Sequence, residues 1–318
     1  MVAQFFFLLQ IVAPIFVVMV AGYVLRKKSV LTAEADRSLI GVVVKLLAPC
    51  LALDTIIGNE ALREPTNWLL PPILGFGSCI LGIVAARVGA NLLRQPNERE
   101  RRTFIYTTSV QNYGYIPLPL CLALFGRETA GVLFAFMLGV EVAFWSVVLW
   151  QLQGGAQRGS WRQAINPPMV SIVVGMILNG LGANEWLPGS VRTSFHLLGV
   201  CAVPMALLLS GALIADHMNI RSLKQGGRTM AVATLIRIGV VPILILLAAK
   251  YLPFDMPTKA VLLLQAAMPA AIFPILLTKV HHGDVPTALQ VVLGTSLVGL
   301  ITIPLWLGFG LWWIPIPH

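Results

Sequence analysis

Apolar residues fall in this chain into blocks of about twenty, separated by short polar stretches. Ten blocks can be marked, at roughly 5–25, 36–57, 68–92, 103–125, 130–152, 166–184, 190–215, 229–250, 258–279 and 286–313. Each is long enough to cross a hydrocarbon core about 30 Å thick. The pattern predicts an all-α polytopic membrane protein of ten transmembrane helices. Two blocks are interrupted where a membrane helix should continue. The fourth contains Ser109-Val-Gln-Asn-Tyr-Gly-Tyr-Ile-Pro-Leu-Pro119, and the ninth Gln265-Ala-Ala-Met-Pro-Ala-Ala-Ile-Phe-Pro274. Proline inside a helix costs about 3 kcal/mol, because it lacks the amide proton and clashes with the preceding turn. In lipid the freed backbone groups find no water, so such a break persists only inside protein or along a polar cavity. Paired breaks in corresponding segments point to the substrate site of a secondary transporter.

Composition agrees with the pattern. Of 318 residues 57% are hydrophobic and 11% charged, where soluble chains carry about 25% charged residues. Little is left for a soluble domain. The formal charge of +9 suggests a nucleic-acid partner, but its placement excludes that reading. Lys and Arg gather after blocks 1, 3, 5, 7 and 9: Arg26, Lys27, Lys28 and Arg37, then Arg94, Arg99, Arg101 and Arg102, then Arg158 and Arg162, then Arg221, Lys224 and Arg228. The positive-inside rule puts those loops in the cytoplasm and both termini outside. The first block, with no charge ahead of it and no small-residue cleavage site, reads as a span, not a signal peptide. Cys50, Cys79, Cys121 and Cys201 all fall in apolar blocks without metal-ligand spacing and read as small buried side chains. Trp150, Trp161, Trp312 and Trp313 suit the membrane–water interface.

The two halves of the chain correspond weakly. Pro14 and Gly22 match Pro167 and Gly175, Pro49 falls near Pro204, Pro117 and Pro119 match Pro269 and Pro274, and Leu138-Gly139 matches Leu293-Gly294, at an offset of about 152–156 residues. Five spans per half is an odd number, so the second half enters the membrane from the opposite face. The expectation is two inverted five-helix repeats, 1–153 and 166–318, joined by a cytoplasmic linker at 154–165, with helices 4 and 9 broken at a crossover.

At such a crossover, half-helix N-termini present partial positive charge and amide donors that favour an anion. The expected substrate site comprises Gln111, Asn112, Tyr113, Pro117 and Pro119 from block 4, and Met268, Pro269 and Phe273 from block 9. Charges within spans are costly, about 2.5–3.5 kcal/mol at the centre. Glu141 lies near the middle of block 5 and is a candidate proton carrier or a partner for Arg237. Lys45 and Arg237 lie about 12 Å in by the helix rise, within reach of snorkelling. Arg87, Asp54 and Lys279, nearer the span ends, read as structural. No cofactor or metal is expected; a proton is the preferred coupling ion over sodium, for which ligand density is not obvious.

Taken together these motifs resemble the auxin efflux carrier family, bacterial members included. Pro14-Ile-Phe-Val-Val-Met-Val-Ala-Gly-Tyr-Val-Leu25 resembles its opening helix; Gln111-Asn-Tyr-Gly-Tyr-Ile-Pro-Leu-Pro119 its first crossover; Pro204-Met-Ala-Leu-Leu-Leu-Ser-Gly-Ala212 its seventh helix; and Ala266-Ala-Met-Pro-Ala-Ala-Ile272 its second crossover. The resemblance implies a scaffold of helices 1, 2, 6 and 7, often a homodimer contact, and a transport domain of helices 3–5 and 8–10 moving as an elevator. It also implies organic-anion substrates, auxin in plants and small carboxylates such as malate or malonate in bacteria, with Asn112 as a ligand and the bacterial inner membrane as the location. One departure stands out: Ile272-Phe273-Pro274 replaces the second asparagine of many relatives, so half of the crossover is apolar here. The alternatives are a sodium-coupled bile-acid-type symporter and a non-transporting membrane sensor. An enzyme is disfavoured, since Glu141 has no His, Cys or Ser partner at readable spacing.

Overall fold

The computed structural model describes residues 2–93, 97–154, 165–218 and 226–314. The 154–165 linker, except its two ends, lies outside the described residues, as do Arg94, Arg158, Trp161, Arg162, Arg221 and Lys224. Helices dominate: α1 (Val2–Lys27), α2 (Ala33–Ile56), α3 (Thr66–Leu93), α4 (Glu98–Ser109), α5 (Pro117–Leu152), α6 (Pro167–Gly180), α7 (Gly189–His217), α8 (Gly227–Tyr251), α9 (Met256–Ala267), α10 (Pro274–Val280) and α11 (Val285–Trp313). Seven of them, α1, α2, α3, α5, α7, α8 and α11, are long and apolar enough to span a membrane.

Local chemistry sets the helix ends. Thr32, Asn97, Asn166, Asp255 and Asp284 each accept an amide of the first helical turn, the capping bond that satisfies an otherwise orphaned donor. Each of α2, α5 and α8 contains a π-helical turn, at Val43–Leu47, Phe144–Val148 and Leu235–Val240. At 36 residues, α5 would measure about 54 Å if straight, far more than a bilayer core. Gly126, with φ 77° and ψ −175°, divides it in a backbone region open almost only to glycine. The two parts correspond to the end of block 4 and to block 5. Block 6 yields a shorter helix than expected, because Gly182 at φ 69° turns the chain after α6.

The helix contacts fall in two sets, joined where α1 packs along α11. In one, α1 lies along α7 and α2 contacts α6 and α7; in the other, α3 packs on α4 and α5, α9 on α5 and α8, and α11 on α8 and α4. Glycines allow the closest approaches. A methyl group on Gly22 would stand 2.0 Å from the Leu208 carbonyl oxygen, and one on Gly211 1.8 Å from that of Met19. Gly75 and Gly139 form the same reciprocal contact between α3 and α5, at 2.1 Å from Phe136 O and 1.7 Å from Pro72 O. Without a hydrophobic driving force between helices in lipid, such small-residue contacts are a main source of cohesion.

Candidate functional site

The two broken segments meet. Between α4 and α5 the chain is extended at 110–112, between α9 and α10 at 269–271, and the two strips pair antiparallel through Gln111 and Ala270. The Asn112 N–H donates to the Pro269 carbonyl (2.8 Å) and the Ala271 N–H to the Val110 carbonyl (2.9 Å). Each break thus supplies the backbone partners that the other lost, and lipid never has to solvate them. Neighbouring helices complete the frame: Thr295 of α11 accepts the Ala270 N–H (3.2 Å), and Ser78 of α3 accepts from Gln111 Nε2 (2.8 Å). Gln265, in the last turn of α9, donates to the Tyr113 carbonyl (3.2 Å). A methyl group on Gly82 of α3 would lie 2.1 Å from the Ser109 carbonyl oxygen, so the frame tolerates no bulk there.

Gln111 is fully buried and Asn112 nearly so. Asn112 Oδ1 accepts the Ile116 N–H (3.2 Å), while its Nδ2 makes no hydrogen bond among the described residues. Pro117 and Pro119 occupy the first turn of α5 and Pro274 that of α10, where a missing amide proton costs least. The other amides at these starts are also engaged: Leu118 donates to Gly114, Ile275 to Ile272 and Leu276 to Phe273. The half-helix N-termini therefore keep their dipoles, while the amides of Leu118, Ile275 and Leu276 are already taken. Phe273 is 41% exposed, with its ring 6.2 Å from that of Phe144.

Glu141 is half-buried on α5. It accepts from Tyr113 Oη (2.7 Å), Trp145 Nε1 (2.8 Å) and Asn166 Nδ2 (2.9 Å). Asn166 also caps α6 through Oδ1 (2.9 Å), so the carboxylate joins the crossover, α5 and the start of α6. Arg237, in the π-helical turn of α8, has no exposed surface. Its Nε–H donates to the Met268 carbonyl at a long 3.4 Å, and its two Nη atoms have no partner among the described residues.

A family model described as membrane transport protein matches residues 7–160 and 156–307. The chain belongs to the membrane transport protein family. Two uncharacterized transporters from archaea align over nearly the whole length. The one from Methanocaldococcus jannaschii is 22% identical over 308 residues, covering 94% of this chain and 97% of that protein. The one from Methanothermobacter thermautotrophicus is 22% identical over 302 residues, covering 93% and 96%.

Within this membrane transport protein, the crossover brings together Gln111, Asn112, Tyr113, Pro117, Pro119, Met268 and Pro269, with Phe273 at its edge. Three expectations are corrected. Glu141 does not pair with Arg237, since its oxygens are taken by neutral donors. Arg237 does not snorkel, whereas Lys45 is exposed on α2. Cys201 is exposed at the bend of α7, unlike the three other cysteines. The nearer-end charges meet local partners: Arg87 donates to Gln151 (2.7 Å) and Asp54 contacts His196 Nδ1 (3.0 Å). Ser78, Gln265, Thr295, Trp145 and Asn166 are absent from the sequence reading of the site. Single small or amide side chains in apolar blocks carry no periodic signal, whereas Trp145, four residues after Glu141 on one helix, had the i,i+4 spacing to mark it.

Proposed function

We propose that this membrane transporter is a secondary carrier that moves a small organic anion by alternating access, with the anion bound where the two broken segments cross. The observation that carries the reading is the antiparallel pairing of 110–112 with 269–271. It places two half-helix starts, each the positive end of a dipole, beside an uncommitted Asn112 amide donor. A carboxylate on a partly apolar body suits such a surrounding, and Phe273 supplies the apolar side.

The ten-span inverted repeat finds support in the packing. Exchanging the halves turns the α1–α7 contact into α6–α2, and the α4–α11 contact into α9–α5; both members of each pair occur. Counting the broken segments as spans and dividing α5 at Gly126 gives five spans per half. On this reading α1, α2, α6 and α7 form the scaffold, on which a homodimer contact would fall, and the other helices carry the site across. The basic loops support an orientation with both termini outside the cytoplasm.

The test is thermal stabilisation of the purified protein by a panel of mono- and dicarboxylates, with Asn112→Ala in parallel. A ligand at a hundred times its dissociation constant adds about 2.7 kcal/mol to the folded state. We expect at least one carboxylate to raise the melting temperature of the parent and to lose that effect in the variant. No shift with any carboxylate refutes the organic-anion reading.

A further inference from the structure

Arg26 and Arg237 are the buried basic side chains among the described residues, and they are treated oppositely. Arg26 is held by two carboxylates, Asp36 and Asp216. Arg237 is held by none. Taking a guanidinium out of water is costly even after the protein relaxes, and the cost is recovered only through well-placed counter-charge and hydrogen bonds. Its one contact, through Nε, is to the carbonyl of Met268, the residue before the proline of the second break. The unmatched end of the guanidinium is the Nη1/Nη2 edge, which presents two parallel donors and matches the two oxygens of one carboxylate. Unmet polar capacity gathers at the same crossing. Gln111 Oε1 and Gln265 Oε1 are buried without partners among the described residues, while their nitrogens are fixed by Ser78 and by the Tyr113 carbonyl.

We propose that Arg237 is the docking cation for the carboxylate of the transported anion, and that it selects ligands with one such group. The proposal rests on the carboxylate reading of the crossover and deepens it. The amides of Leu118, Ile275 and Leu276 at the half-helix starts are taken, and the guanidinium supplies further donors for the anion. Among the described residues a second carboxylate finds no other buried cation free: Arg26 is committed to its two acids, and Lys45 lies exposed on α2. A dicarboxylate would bury one charge unpaired, so monocarboxylates are favoured over the dicarboxylates that the sequence resemblance implies.

The experiment compares matched triads, such as butanoate, butanamide and succinate, or 3-phenylpropanoate, 3-phenylpropanamide and benzylmalonate. Ligand-induced thermal shift and direct binding are measured for the parent, Arg237→Gln, Arg237→Met, Arg237→Lys and Asn112→Ala. We expect the parent to bind the monocarboxylate of at least one triad at least tenfold more tightly than its amide and its dicarboxylate. Arg237→Gln and Arg237→Met should lose at least a hundredfold in monocarboxylate affinity and the preference over the amide. Their ligand-free forms should melt no lower than the parent, because an uncompensated charge has left the interior. Arg237→Lys should keep a reduced preference for the charged ligand.

Binding of the monocarboxylate by the neutral variants within threefold of the parent, with Asn112→Ala inactive, overturns the role of Arg237 alone and leaves the crossover site standing. Failure of both neutral variants to fold shows a structural cation and likewise overturns it. A parent that prefers the dicarboxylate overturns the single-charge selection. A parent that binds no carboxylate overturns this proposal together with the organic-anion reading beneath it.

Discussion

At the scale of single residues, Glu141 makes the clearest case for a structural commitment. One carboxylate receives three neutral donors from three parts of the chain. Glutamine in its place keeps the shape but turns one acceptor into a donor facing other donors. Hydrogen bonds to a charged group contribute about 1.5–3 kcal/mol each, so Glu141→Gln should lose at least that much stability in a denaturation measurement. The emission of a protein carrying Trp145 should shift as the indole loses its acceptor. His281 gives a pH-dependent prediction. It follows α10, contacts Gln153 through Nδ1 (3.2 Å), and has its pKa lowered below the ordinary 6.5, first by burial and then by repulsion from His282. A base with a depressed folded pKa takes up its proton more readily when unfolded. Its contribution is therefore full above about pH 6.5 and is lost as pH falls toward the folded value. Melting temperature should fall between pH 8 and pH 5.5, and His281→Asn should flatten that fall.

At the scale of helices and turns, backbone proximity decides what the fold tolerates. Gly126 sits in a conformation that other residues adopt at a cost of about 1–3 kcal/mol, with open space where a side chain would go. Gly126→Ala should destabilise by that amount without any steric clash, as read by chemical denaturation. Gly22→Ala and Gly211→Ala, by contrast, would push α1 and α7 apart, and overpacking of this kind costs about 1–3 kcal/mol. Because both act on one contact, the double variant should lose clearly less than the sum of the singles. The spans themselves are legible in the sequence, since length and hydropathy are local properties of a membrane helix. So are the two breaks, because proline removes an amide wherever it stands. The fit between the breaks is not legible: nothing in Val110-Gln111-Asn112 or Pro269-Ala270-Ala271 tells that these short strips lie side by side. Of the donors around Glu141, Trp145 stands at the i,i+4 spacing of one helix, whereas Tyr113 and Asn166 come from places that no spacing rule connects. Arg237 can be marked as a charge in a span, but its isolation shows only once its surroundings are assembled.

At the scale of the whole molecule, each half of the chain needs the other. α1 lies against α7 and α2 against α6, and each broken segment finds its backbone partners across the divide. Two chains separated within 155–164 should therefore co-purify as a folded pair when made together, and each alone should aggregate or be degraded. A half that folds and stays soluble in detergent by itself would contradict this. The crossover also bears on how such a carrier changes over generations. Its seam is stitched by main-chain atoms, which every residue except proline carries alike. Side chains around it can be replaced one at a time without undoing the stitch, so selection is free to re-line the crossing for a new cargo while the frame that holds it persists.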